Sequence, residues 1–192
     1  MQLGEDIPPE AVERAELLTA HLGSLYEPSL IVFDMRDYST RLELLDEFRH
    51  IAFTWRQGQP TSRVPQEIQG AMGCDNCTSL VWLSRRALLS ERILFVWILA
   101  HELRHVYQAR TSISLNQTRG VALKLRRRQE FLSLPPSFMT PDELDAELCA
   151  LKVVQALFEP ATVSDLLDDA SLLRYPFRAY SRFLSELASL LT

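Results

Sequence analysis

His101-Glu102-Leu103-Arg104-His105 sets two imidazoles four residues apart, with a glutamate directly after the first. On an α-helix, residues i and i+4 share a face, so both imidazoles can aim a ring nitrogen at one metal ion of the zinc type. Glu102 sits about 100° round the helix from His101, where its carboxylate reaches a water on that metal rather than the metal itself. The chemistry this arrangement serves is hydrolysis by a metal-activated water. Half of the chain's four histidines lie in this one motif. A buried helix whose two histidines merely hydrogen-bond to the backbone is the plainer reading of the same letters.

A catalytic zinc takes three protein ligands and keeps one position open for water or substrate. No histidine follows His105, so the third ligand must be a carboxylate, and Glu143-Leu144-Asp145-Ala146-Glu147 supplies a cluster of them. Glu143 and Glu147 are one helical turn apart and face the same way. One can ligate zinc while the other accepts the N–H of a zinc-bound histidine. The small Ala146 between them lets this helix approach the His101–His105 helix closely. Glu143 is also where a capping box starting at Thr140 would place an acid, so its position has a second explanation.

These residues resemble the gluzincin branch of the HExxH zinc metallopeptidases, and the Glu-x-x-Ala pattern is similar to small bacterial and phage-associated peptidases of the ImmA/IrrE kind. The resemblance covers Leu80 to Leu157. It implies His101 and His105 as zinc ligands, Glu102 as general base, Glu143 as third ligand and Glu147 as the acid behind a ligand histidine. That family more often carries Asp or Asn at the position of Glu147, so the reverse assignment, with Glu147 as ligand, stays open. The implied fold is α+β, a mostly helical zincin-like domain with a small β-sheet and a buried active-site helix. The implied cofactor is Zn²⁺ and the implied substrate a protein or peptide. Arg104, Tyr107 and Tyr175 are the conceivable second electrophiles. The strand expected over Thr78 to Leu83 would be the edge on which an extended substrate lies by β-augmentation.

The elements that must position these groups follow from periodicity. Pro8-Pro9-Glu10 with Val12, Ala15, Leu18 and Leu22 predicts a helix ending at Gly23. Ser29 to Met35 reads as a strand, and Leu42, Leu45, Phe48 and Ile51 as a helix from Thr40 to about Trp55 whose end has an alternative as strand. Gln57 to Thr78 has no apolar periodicity and is expected to be a long loop. Glu91 to Arg110 is apolar nearly all round in its first half, which predicts deep burial. Further helices are expected over Val121 to Leu132, from Thr140 to about Phe158, and within Ser164 to Leu191 with a break near Tyr175-Pro176.

At 192 residues and 47% apolar composition, the chain suits one domain, 1–192, built round one core. Its 20 basic against 25 acidic residues lack the basic excess of a nucleic-acid binder. The basic run Lys124 to Arg128 reads as a solvated helix face. No apolar stretch approaches the roughly 20 residues of a membrane span, and three cysteines without a visible signal segment lead us to expect a reducing cytoplasm rather than a disulfide framework.

Two rival classes use the same letters. Glu47-x-x-His50 and Glu102-x-x-His105 are both Glu-x-x-His units, and with Glu16 and Glu143 they would make the carboxylate set of a di-iron helical bundle. His101 would then have no role. A non-catalytic zincin-fold sensor or interaction module is the other rival, against which the presence of His101, Glu102 and His105 argues. Cys74-Asp75-Asn76-Cys77 is a lone CxxC, read as ordinary loop thiols unless Cys149 or His50 completes a zinc knuckle.

Overall fold

The computed structural model describes residues 1–36, 52–59, 77–111, 113–128, 131, 140–168 and 178–191. In chain order the elements are β1 (Gln2–Leu3), α1 (Pro9–Leu22), β2 (Leu30–Asp34), β3 (Ala52–Arg56), β4 (Ser79–Ser84), α2 (Arg85–Leu88), α3 (Arg92–Arg110), α4 (Asn116–Arg126), α5 (Pro141–Leu157), α6 (Pro160–Asp168) and α7 (Arg178–Leu191). The class is α+β, mostly helical with one small sheet.

The sheet order is β1-β2-β4-β3, with β1, β2 and β4 parallel and β3 antiparallel to β4. Successive strand side chains point to opposite faces. Accordingly Phe33, Ala52, Val81 and Leu83 enter the main core with α1, α3 and α5, while Val32, Trp55, Leu80 and Trp82 form a second buried cluster. On that second face Asp34 is fully buried. A buried carboxylate needs partners, and it accepts from Trp82 Nε1 at 3.0 Å and from Arg36 Nε and Nη2 at 2.9 and 2.8 Å.

Helix α3 is the axis of the molecule. Phe95, Leu99, Ala100, Leu103 and Val106 are all but inaccessible, and α3 packs on β3, α1 and, most extensively, α5. Helix α5 begins where its sequence says, with Pro141 in the first turn and Thr140 extended before it. The Thr140 side chain makes no capping hydrogen bond, so the capping box is not formed and Glu143 is not engaged at the helix start. Helix α1 stops at Gly23, whose φ of 92° suits glycine and lets its N–H reach Thr19 O at 3.1 Å.

Several expected boundaries move. Of the segment expected as a helix to about Trp55 with a strand alternative at its end, the strand alternative holds over Ala52–Arg56 as β3, because Phe53 and Trp55 pair with the second cluster while Ala52 and Thr54 face α3, a period of two. Its earlier part, 40–51, lies outside the described residues. Ser79–Ser84 is not an edge: it is paired on both sides, and among the described residues β3 takes the outer place beside α3. Helix α4 starts at Asn116 rather than Val121, since its polar first turn carries no apolar signal, and ends at Arg126. Pro160 opens α6 ahead of the expected Ser164. The two-residue β1 has no signal of its own and depends on pairing with Phe33 and Asp34. Among the described residues, no helix is long and apolar enough to cross a membrane.

Leu103 lies between the two motif histidines and is fully buried. Leu103→Ala is expected to lower unfolding free energy by about 2–5 kcal/mol, as core truncations do, measured as a shift in the urea midpoint. A change under about 0.5 kcal/mol would mean that α3 is not packed as described.

Candidate metal centre

The i, i+4 spacing on α3 brings His101 Nε2 and His105 Nε2 to 3.1 Å of one another. Helix α5 crosses over them and adds Glu143, with Oε2 at 3.2 Å from His101 Nε2 and Oε1 at 3.5 Å from His105 Nε2. These three residues form the group of potential metal ligands among the described residues. The distances fit a metal: ligands about 2.0–2.1 Å from a tetrahedral zinc lie roughly 3.3 Å from one another. The histidines do not hydrogen-bond to the backbone, as the plainer reading supposed. Both are buried, at 4% and 7% exposure, whereas the Glu143 side chain is 41% exposed, so the group opens to solvent on the α5 side.

The outward ring nitrogens face polar groups. His101 Nδ1 lies 3.5 Å from Glu147 Oε1 and completes no hydrogen bond. Glu147 is itself oriented by Trp97, whose Nε1 donates to Oε2 at 2.8 Å. His105 Nδ1 stands 2.9 Å from Gln108 Oε1. Thus Glu143 meets both inner nitrogens, while Glu147 stands behind His101.

Glu102 is 3% exposed and stays out of the ligand group. The Thr54 hydroxyl on β3 lies 2.8 Å from its Oε2 and 2.9 Å from its main-chain O, and donates into that pair of acceptors. A buried carboxylate is thereby held beside the two imidazoles by a strand from the other side.

The charges explain one another. Burial works against a charged His101, but the Glu147 carboxylate facing it, the contact with Glu143 and the Glu102 charge outweigh it, raising its pKa from 6.5 to about 10. Burial pushes Glu143 up, yet hydrogen bonds from His101 and His105 and their charges hold it well below the usual carboxylate range. The donor set therefore attracts positive charge, as a cation site must.

The suggested electrophiles fare differently. Arg104 donates from Nε and Nη2 to Asp145 at 2.7 and 3.0 Å and from Nη1 to Tyr26 Oη at 2.7 Å, over the Tyr107 ring. It is committed to that cluster, and Tyr107 packs on Tyr26. Tyr175 lies outside the described residues, as do Glu47, His50 and Cys74. Glu16, the other single glutamate of the di-iron set, is exposed on α1 and outside the ligand group. Cys77 Sγ donates to Ser79 O at 3.7 Å. Cys149 lines a cleft of about 420 Å³ with Tyr26 and Arg104, and burial pushes its thiol up. Of the basic run, Lys124, Arg127 and Arg128 are exposed, and Arg128 pairs with Glu186.

Three residues of this centre escaped the sequence reading. Gln108 had a signal, since it lies one turn beyond His105 on the same face. Trp97 likewise lies four residues before His101. Thr54 had none, because only the fold brings β3 to α3. Comparison with protein-family models, curated proteins and solved structures finds no match to this chain.

The pKa shifts set a pH dependence for the metal-free protein. A raised His101 pKa gives stability that is fully present below 6.5 and is lost as pH rises to about 10. A depressed Glu143 pKa gives stability present above about 4.3 and lost as pH falls. The unfolding midpoint of chelator-treated protein is therefore expected to fall from pH 6.5 to pH 10, and a flat midpoint in Glu143→Gln and wild type alike would contradict this coupling.

Proposed function

We propose that the chain is a zinc-dependent metallopeptidase with a zincin-like fold of the gluzincin kind, in which His101, His105 and Glu143 hold the ion and Glu102 is the general base. The observation that carries the reading is the convergence of two imidazole nitrogens and one carboxylate at 3.1–3.5 Å, beside a buried glutamate that is not among them. Among the described residues three ligands stand beside an adjacent carboxylate, an arrangement that suits catalysis rather than a structural zinc. A cytoplasmic address and a protein or peptide substrate belong to the same proposal, the first from cysteine usage and the second from the motif's resemblance.

Zinc in this position supplies a Lewis acid that polarises a carbonyl and brings a water's pKa towards neutrality. The chain's residues do the rest. Glu102 accepts the water's proton as it attacks and returns it to the leaving amine. The Thr54 hydroxyl bonds to Oε2 and holds the carboxylate in place beside the two imidazoles. Glu147, oriented by Trp97, keeps a negative charge behind His101, which favours an Nδ1–H and an available Nε2. The exposed side at Glu143 admits the substrate, and β3 presents a strand beside the site on which an extended peptide can lie.

Purified wild type is expected to carry about one zinc per chain, and His101→Ala, His105→Ala and Glu143→Ala to lose it. Glu102→Gln should keep the metal while turnover of a quenched-fluorescent peptide library falls about 10²- to 10⁴-fold. Zinc lost from Glu147→Ala but retained by Glu143→Ala would exchange the two glutamates' roles. Two irons per chain, or no metal after incubation with zinc, would overturn the reading.

A further inference from the structure

In a neutral imidazole one ring nitrogen carries the hydrogen and the other the lone pair, and a metal takes the second. For His105 the neighbouring amide decides between them. Gln108 Nε2 lies 2.8 Å from the main-chain O of Asp142 and 2.8 Å from Asp145 Oδ2. Both of those oxygens can only accept, so the NH₂ end of the amide must face them, and its two hydrogens are used there. Oε1 is left towards His105 Nδ1, 2.9 Å away, as an acceptor. Nδ1 must then carry the hydrogen, and Nε2, beside His101 and Glu143, the lone pair.

The amide is locked from behind. Asp145 accepts from Arg104 Nε and Nη2, and Arg104 continues through Nη1 to Tyr26 Oη, so turning the amide over would set its oxygen against two others. His101 has no comparable device, because its Nδ1 completes no hydrogen bond. Among the described residues a hydrogen bond thus fixes the ring on the His105 side, while at His101 the Glu147 charge acts from 3.5 Å.

We infer that Gln108 is a positioning residue that fixes the His105 tautomer with Nε2 turned to the metal, and that Asp145 and Arg104 hold Gln108 in that role. The inference rests on the metal-centre reading above. It also links two jobs, since the same amide that sets the tautomer ties α3 to α5 at the turn that delivers Glu143.

The test compares zinc affinity, by competition with a chromophoric chelator, in wild type, Gln108→Met and Gln108→Glu. The Met variant keeps the length but removes the acceptor, and is expected to bind zinc about 10- to 100-fold more weakly. The Glu variant retains an oxygen for Nδ1 but sets its other oxygen towards Asp145, so it is made together with Asp145→Asn, whose amide can donate to that oxygen, and in this form should bind more tightly than the Met variant. ¹⁵N spectra of the zinc-loaded wild type should place the His105 hydrogen on Nδ1. Equal affinity of the Met variant and wild type, equal loss in both variants, or a hydrogen on Nε2 would overturn the inference while leaving the metal centre standing. Failure of wild type to bind zinc would instead remove the centre and the inference together.

Discussion

The packing of α5 across α3 is the contact on which the rest depends, because it closes a group of charges inside a helix–helix interface. Apolar burial supplies the adhesion: Leu99 and Leu103 on α3 and Leu144, Leu151 and Val154 on α5 are essentially inaccessible, and each such side chain contributes about 1.5–3 kcal/mol. Ala100, Ala146 and Ala150 are fully buried as well, which keeps the backbones close enough for glutamate side chains to reach imidazoles. Polar links then fix the register along that seam. Trp97 meets Glu147, Gln108 meets Asp142 and Asp145, and Arg104 meets Asp145. A slide of one helix past the other by one turn would break all of them together.

The sheet closes the other side. β3 lies antiparallel to β4 and, among the described residues, at the margin of the sheet. Its alternation sends Phe53 and Trp55 into the second apolar cluster and Thr54 to Glu102, so the residue that anchors the strand and the residue that holds the glutamate are neighbours. A strand is suited to this. Its period of two separates packing from polar contact at consecutive positions.

Legibility in the sequence followed the range of the interaction. The α3 helix and its His101–Glu102–His105 face were readable because both their burial and their spacing are local periodicities, and α5 was readable from Thr140-Pro141 and the apolar pattern after it. Thr140 illustrates the limit. Its sequence suits a capping box, yet its side chain makes no cap and Glu143 is turned to the histidines, because two buried imidazoles offer that carboxylate more than a helix end exposed to water. At β3 the sequence left helix and strand both open, since Leu42, Leu45, Phe48 and Ile51 prolong a helical template into a segment whose partner, β4, lies more than twenty residues on. Thr54 was unreadable for the same reason, and Gln108 was overlooked although its position on the α3 face was available.

This seam gathers negative charge. Glu102, Glu143 and Glu147 bring three carboxylates around two imidazoles, and two unit charges 4 Å apart repel by about 4 kcal/mol at an effective dielectric of 20. Thr54 and Trp97 each donate one hydrogen bond to this set, which orients two of the carboxylates without neutralising them. Positive charge near His101 and His105 compensates them further. In the metal-free protein it is a proton, which is why His101 is held up at about 10 and Glu143 is held down. A divalent ion held by the same nitrogens and oxygen, as proposed, would supply more charge to the same place and take the proton's position. On the proposed function, the carboxylates that favour the proton are those that would favour the metal, so metal binding and the stability of the α3–α5 contact would answer to one electrostatic requirement.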